Sequence, residues 1–244
     1  MDINSCTPVS NAAVDFWHAN ATGVYGGVVS PINGDVNDHS NLQNKMLRGI
    51  QVSDQDGVVE LTSIFPGHYG GRAVHVHILA QLNATQLANK TVTGGTTAHV
   101  GQLYFDMDLI NEVRKVEPYA GNQQALVEND KDILLRMSAA NGADPVVEYT
   151  FLGPSISDGI FAWINFGING TNVRTPYAAV GCSEGGCVAN PDKGPFAGFG
   201  KGFGKGVEAL KGGSRRPPKT CGKKSRRVRK VVPRENLAMA RVEQ

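Results

Sequence analysis

Apolar and polar positions alternate along this chain in short runs and seldom recur at helical spacing. Val14-Asp15-Phe16-Trp17-His18 reads as a strand, and Asn20-Ala21-Thr22-Gly23 breaks it into a turn that ends at Tyr25. Residues 58–64 alternate strictly, with Val58, Glu60, Thr62 and Ile64 on one face, and Phe65-Pro66-Gly67 closes the run. Residues 73–79 form a second, stronger strand. Residues 100–105, 146–151 and 160–168 read as further strands, and residues 108–116 as a short helix. Residues 31–45 and 81–99 are polar and turn-rich, so they read as loops, and no internal repeat is present. The pattern predicts an all-β domain, a β-sandwich of mostly antiparallel strands with long loops.

Composition agrees with one domain of ordinary size. Hydrophobic residues make up 41% of the 244 positions, enough for a sizeable core, and Gly 30 with Pro 12 supplies the turns. The net charge of +2 hides a division. Residues 1–213 carry 13 Lys+Arg against 20 Asp+Glu, a net of −7, whereas residues 214–244 carry 11 against 2, a net of +9. Three parts follow: a folded domain over 1–188, a Gly/Phe-rich low-complexity linker over 189–213, and a basic disordered tail over 214–244. No run approaches the ~20 consecutive apolar residues of a membrane helix. Met1 is followed by polar residues, so no signal peptide is expected at this start. Cys6, Cys182, Cys187 and Cys221 lack zinc-ribbon spacing. Cys182 and Cys187 flank Ser-Glu-Gly-Gly, a loop open either to a disulfide or to two free thiols. Asn-X-Ser/Thr sequons at Asn20, Asn83, Asn89 and Asn169 are a weak hint of secretion.

The chemistry concentrates in Phe65-Pro66-Gly67-His68-Tyr69-Gly70-Gly71-Arg72-Ala73-Val74-His75-Val76-His77. His75 and His77 are two apart on a strand, so both imidazoles leave the same face and form half of a metal site. Tyr69 precedes a Gly-Gly turn able to bend it back toward that face, and Arg72 lies three residues before His75. On His-X-His alone, a strand with two partly exposed histidines is the better reading. His18 reads as a structural or supporting residue and His99 as a solvated loop residue. His68 divides evenly between pocket and surface. Asp15 reads as bonding a neighbouring turn.

The segment resembles the iron-binding stretch of the intradiol ring-cleavage dioxygenases, in which a Tyr and then Arg-X-X-His-X-His supply three ligands and an active-site arginine. Val14-Asp15-Phe16-Trp17-His18-Ala19-Asn20-Ala21-Thr22-Gly23-Val24-Tyr25 is similar to the strand and turn that end in the other tyrosine ligand. Gly101-Gln102-Leu103-Tyr104-Phe105 resembles the strand carrying an active-site glutamine. Phe65-Pro66-Gly67-His68-Tyr69 and Thr93-Gly94-Gly95-Thr96 look most like the secreted fungal branch. The resemblance spans roughly residues 1–180.

It implies that Tyr25, Tyr69, His75 and His77 hold Fe(3+), since two phenolates favour ferric over ferrous iron. It further implies that Tyr69 also accepts a substrate proton, that Arg72 stabilises charge on the ring, and that Gln102 positions the substrate. The expected activity is cleavage of a catechol-type ring between its hydroxyls with O2, giving a cis,cis-muconate-type product. The partners are a small catechol-type molecule and O2, with a homodimer open as an assembly. No specific nucleic acid and no membrane are expected. Members of this branch are extracellular. The family's domain begins earlier than this chain, and Met1-Asp2-Ile3-Asn4-Ser5-Cys6 reads as mid-strand. The chain is therefore expected to lack the domain's N-terminal part, with reduced stability and activity. The competing readings are a non-catalytic transthyretin-like β-sandwich binding module, an inactive truncated form, and a nucleic-acid or membrane-surface binder acting through residues 214–244.

Overall fold

The computed structural model describes residues 1–176, 178, 180–183 and 186–189. Its centre is an antiparallel sheet of β1 (Ala13–Trp17), β2 (Arg48–Val52), β3 (His75–Gln86) and β4 (Val92–Tyr104), in the order β2-β1-β3-β4. Two hairpins follow, β5 (Glu148–Phe151) with β6 (Ile160–Trp163) and β7 (Val180–Ser183) with β8 (Gly186–Ala189). Helices are short: α1 (Met107–Val113) and α2 (Ile133–Ser138). The β-rich, antiparallel character predicted from alternation is the character observed. Apart from Ala189, the expected linker and tail lie outside the described residues. Cys182 and Cys187 stand opposite each other across the β7–β8 hairpin, but how their side chains pair lies outside the described residues. No described helix is long and apolar enough to cross a membrane.

Registers sort the side chains of the main sheet by face. Trp17 lies opposite His77 on β3 and Arg48 on β2, and His77 and His75 lie opposite Gln102 and Tyr104 on β4. Period-two alternation therefore brings Arg48, Trp17, His75, His77, Gln102 and Tyr104 to one face. The other face is apolar. Val14 and Ala80 pack with Ala98 and Ile168, and Val74 and Val76 pack with Phe105, Leu109, Ile110, Val113 and Val147. Helix α1 closes that second cluster. The carboxylate of Asp106 caps it by accepting from the N–H of Leu109 at 2.7 Å, and Leu109, Ile110 and Val113 form its buried stripe.

Three local expectations fail, each for a physical reason. Residues 58–64 alternate in sequence but join no ladder. Val59 reaches the Val14/Ala80 cluster while Val58 and Ile64 stay exposed, and a turn at Asp54 sets where the segment begins. Strand β1 pairs on one side with β3 and on the other with β2, whose Arg-Gly-Ile-Gln-Val carries little apolar signal. Residues 81–99 are the long arms of the β3–β4 hairpin, turned by Leu87 to Lys90; their Thr and Asn side chains are polar because that end of the ribbon is exposed. Met1 to Cys6 is a turn in which Asp2 Oδ1 accepts from the N–H groups of Asn4 and Ser5, and it is held to residues 166–170 by the bridge between Asp2 and Ile168, by the Met1 amine on Phe166 O and by the Gly170 N–H on Asp2 Oδ2.

The loops bearing Tyr25 and Tyr69 pack backbone to backbone. A Cβ at Gly67 would lie 2.2 Å from the Asn20 carbonyl oxygen and 2.4 Å from that of Ala21; one at Gly23, where φ is +84°, would lie 2.3 Å from the His68 oxygen. The Asn122 amide ties the pair by donating to the carbonyls of Ala21 (3.0 Å) and His68 (2.8 Å). Backbone cannot retreat as a side chain can. Gly67→Ala is therefore expected to cost about 1–3 kcal/mol of stability, read as a lower midpoint in urea unfolding at unchanged m-value. An unaffected midpoint would show that the two loops do not lock each other.

Candidate metal centre

Three elements bring the predicted residues together. Strand β3 supplies His75 and His77. The Gly70-Gly71 turn, with φ of +90° at Gly71, folds Tyr69 back against Arg72 through a bridge between those two residues. Tyr25 arrives on the turn after β1, anchored by its N–H to Asn33 O (2.9 Å) and by Asn41, whose amide donates to Tyr25 O (2.8 Å).

The focus of the cluster is Nε2 of His75. Tyr25 Oη and Tyr69 Oη each lie 3.3 Å from it, and His77 Nε2 lies 3.1 Å away. His75 donates its Nδ1–H to the carbonyl of Ala73 at 2.7 Å, which leaves the lone pair on Nε2. One lone pair accepts one hydrogen bond, yet three polar atoms crowd it. The spacing has a simple chemical meaning. A first-row cation bonded at about 2.0–2.1 Å sets neighbouring donors about 2.9–3.4 Å apart. The donor set, two phenols and two imidazoles, suits a hard-to-borderline ion, and ferric iron most of all once the phenols ionise. Among the described residues no group of three or more His, Cys, Asp or Glu forms another candidate metal site.

Burial sets the protonation states. Tyr25, Tyr69 and His75 are buried, and His77 is half-buried. Desolvation, and then the Arg72 charge, pushes His75 down to about 3. Desolvation and the neighbouring His75 hold His77 well below the ordinary imidazole range. Both rings are therefore neutral and ready to act as ligands. Burial raises both phenols, Tyr25 strongly with Tyr69 beside it, while the Arg72 charge draws Tyr69 back down. A cation entering here displaces phenol protons.

Arg72 and Gln102 stand at the same cluster. The Arg72 guanidinium donates to Gln102 Oε1 at 2.5 Å and to the Tyr104 hydroxyl at 3.1 Å, and Gln102 Nε2 lies 3.3 Å from His77 Nδ1. All six residues singled out in the sequence are thus neighbours. Four more were not singled out. Trp17 stacks on His77, with ring centroids 4.8 Å apart and planes 3° from parallel, and Arg48 covers its other side at 5.1 Å. Tyr104, fully buried, donates to Gln102 at 2.6 Å. Asp132 forms an ion pair with Arg72 at 2.8 Å. Trp17 and Tyr104 were findable from strand alternation. Asp132 precedes Ile133-Leu134-Leu135 as a helix cap would, but no local pattern links it to Arg72.

The remaining candidates resolve plainly. His18 is buried, donating Nδ1–H to Ala19 O (2.8 Å) and accepting from Ser63 at Nε2 (2.7 Å), so it fastens residues 58–64 to the end of β1. His68 is buried and bonds Gln124 O at 3.0 Å. Asp15 pairs with Arg48 on the neighbouring strand. His99 belongs to β4, not to a loop, and packs on Phe166 with ring centroids 5.0 Å apart.

Comparison with known proteins bears on the family of the chain. The family model described as Dioxygenase matches residues 3–151. A solved intradiol ring-cleavage dioxygenase from Tetranychus urticae is 26% identical over 71% of this chain and 79% of its own, with a TM-score of 0.57. A second dioxygenase crystal structure gives 26% identity over 71% and 78%, also with a TM-score of 0.57. No curated protein matches the chain in sequence.

The buried imidazole makes the metal-free protein acid-labile. Unfolded, His75 takes up a proton near its ordinary 6.5; folded, it does so only at about 3. Acidification across that window therefore favours the unfolded chain, by up to ~1.4 kcal/mol per pH unit for this one residue. The melting temperature of the metal-free protein should fall steadily from pH 6.5 downward, and His75→Gln should flatten the slope. An equally steep slope in His75→Gln would place the lability elsewhere.

Proposed function

This chain belongs to the intradiol ring-cleavage dioxygenase family, and on that premise we propose that it opens catechol-type rings between the two hydroxyls, using O2 at a ferric ion held by Tyr25, Tyr69, His75 and His77. The single observation that carries the proposal is the convergence of Tyr25 Oη, Tyr69 Oη and His77 Nε2 on the lone-pair nitrogen of His75 within 3.3 Å. When bound, the ion supplies the Lewis acidity that lets both catechol hydroxyls ionise at neutral pH and readies the ring for O2.

The protein's own groups do the rest. His75 and His77 stay neutral because burial forbids their protonation, so their ring nitrogens remain available. Tyr69 is the group suited to take a substrate proton: its phenol is buried, yet Arg72 favours its ionised form. The Arg72 guanidinium is already oriented by Asp132, Gln102 and Tyr104, so it can stabilise charge developing on the ring without reorganising. Gln102, held by Arg72 and Tyr104, presents its amide beside His77 and positions the substrate. The product class is a cis,cis-muconate. An extracellular setting belongs to the same proposal, supported by the disulfide-bonded state of Cys6.

Purified with iron, the chain is expected to bind one ferric ion and show a visible tyrosinate charge-transfer band. Tyr25→Phe, His75→Ala and His77→Ala should each lose the iron, the colour or the activity, whereas His99→Ala should keep all three. A colourless protein without iron by elemental analysis would remove the basis for the proposal.

Arg72→Ala should retain iron but lower kcat by about a hundredfold, with a smaller effect on KM, because the charge acts chiefly in the transition state. Loss of iron in Arg72→Ala would make the residue structural.

A further inference from the structure

Asp132 is buried, and its side chain is wholly inaccessible to solvent. Every group that approaches it is a donor. Its Oδ2 accepts from Arg72 Nε and from the Ala73 N–H, each at 2.8 Å. Its Oδ1 accepts from the N–H groups of Leu134 (2.8 Å) and Leu135 (2.9 Å), which begin α2, with a second Arg72 nitrogen at 3.5 Å. The far side of Arg72 meets Gln102 and Tyr104, and the carbonyl of Ala73 accepts the Nδ1–H of His75. A single carboxylate thus grips both the guanidinium and the residue whose carbonyl selects the His75 tautomer, and it is itself fixed by a helix terminus.

We infer that Asp132 is a positioning residue for the ring-cleavage reaction: from the start of α2 it sets the plane of the Arg72 guanidinium and holds Ala73, so that Arg72 and His75 keep a fixed relation to each other. It touches neither the phenols nor the imidazoles, and it acts through its two partners. A carboxylate fits this place and an amide does not, because either orientation of an Asn would turn an NH2 group onto N–H donors. The pairing also supplies a buried counter-charge, without which the Arg72 cation would stand uncompensated beside a metal centre. Burial alone would raise the Asp132 pKa, but Arg72 and the N–H groups of Leu135 and Ala73 bring it below the usual carboxylate range, so the grip persists at neutral and mildly acidic pH.

The inference rests on the ferric-iron reading above, and the tests separate the two. Asp132→Ser keeps a short oxygen able to cap α2 but releases Arg72 and Ala73. In the iron-loaded full chain, with catechol as the probe, kcat should fall about 10–100-fold while KM moves much less, and the visible band should shift because Tyr69 and His75 lose a fixed neighbour. Asp106→Ser, which disturbs the cap of α1 without touching Arg72, controls for lost capping and should leave kcat and the band unchanged. In a double-mutant cycle, Asp132→Ser combined with Arg72→Gln should be no slower than Arg72→Gln alone. Should Asp132→Ser fail to fold, Arg72→Lys serves instead. It keeps the charge but not the planar fork, so it should be as slow as Arg72→Gln. Additive effects in the cycle, a band and kcat equal to those of Asp106→Ser, or full rescue by Arg72→Lys would overturn the inference. A wild-type chain that binds no iron removes the ferric reading itself; a coloured, active wild type with indifferent Asp132 variants removes this one alone.

Discussion

The hydrogen bond from His75 Nδ1 to the carbonyl of Ala73 decides which nitrogen faces the interior of the cluster. A histidine has two interchangeable nitrogens, and a centre built from three separate segments needs one of them fixed before the others can converge. With the proton held on Nδ1, Nε2 presents a lone pair, and Tyr25, Tyr69 and His77 gather around it. The rest of the architecture keeps this point still. Strand β3 fixes the backbone of His75 opposite Tyr104 on β4 and that of His77 between β1 and β4, and Trp17 with Arg48 covers His77 from the side.

Such a centre is costly to the metal-free fold. Two phenols and two imidazoles are removed from water, and their mutual contacts cannot all be good hydrogen bonds at once. Their spacing would suit a cation, and a cation bound there would offset the desolvation. The surrounding structure is correspondingly tight. Glycines at 23 and 67 let two loops meet backbone to backbone, and the Asn122 amide spans both. These contacts hold Tyr25 and Tyr69 in place although neither belongs to a strand.

Family membership and the geometry bear on different questions. The first assigns a class of ring-cleaving oxidoreductase, while the second suggests how individual groups divide the work. The neutral histidines, the Tyr69 phenol, raised by burial and partly drawn back by the Arg72 charge, and the guanidinium clamped by three partners form one connected polar network. Its members reach one another through Arg72, which makes that residue the junction between the candidate ligands and the protein beyond them.

The sequence by itself determined the β-rich character and the pairing of His75 with His77, because strand alternation has a period of two and needs no partner to be read. The resemblance of three ordered motifs brought in Tyr25, Tyr69, Arg72 and Gln102. The Gly70-Gly71 turn was legible as well, since few other residues tolerate the φ that Gly71 adopts. What the sequence left open depended on partners far along the chain. Residues 58–64 have a strand's alternation without a strand's ladder, and residues 81–99 have a loop's polarity yet pair as a hairpin. Alternation reports which side is buried, not whether a neighbour is present to bond the backbone. Asp132 is the clearest case. Its place before Ile133-Leu134-Leu135 announces a helix cap, and only tertiary structure turned that cap toward Arg72, a residue sixty positions earlier in the chain. A buried carboxylate is specified by the donors that surround it, and these came from two segments, residues 72–73 and 134–135, that only folding brought together.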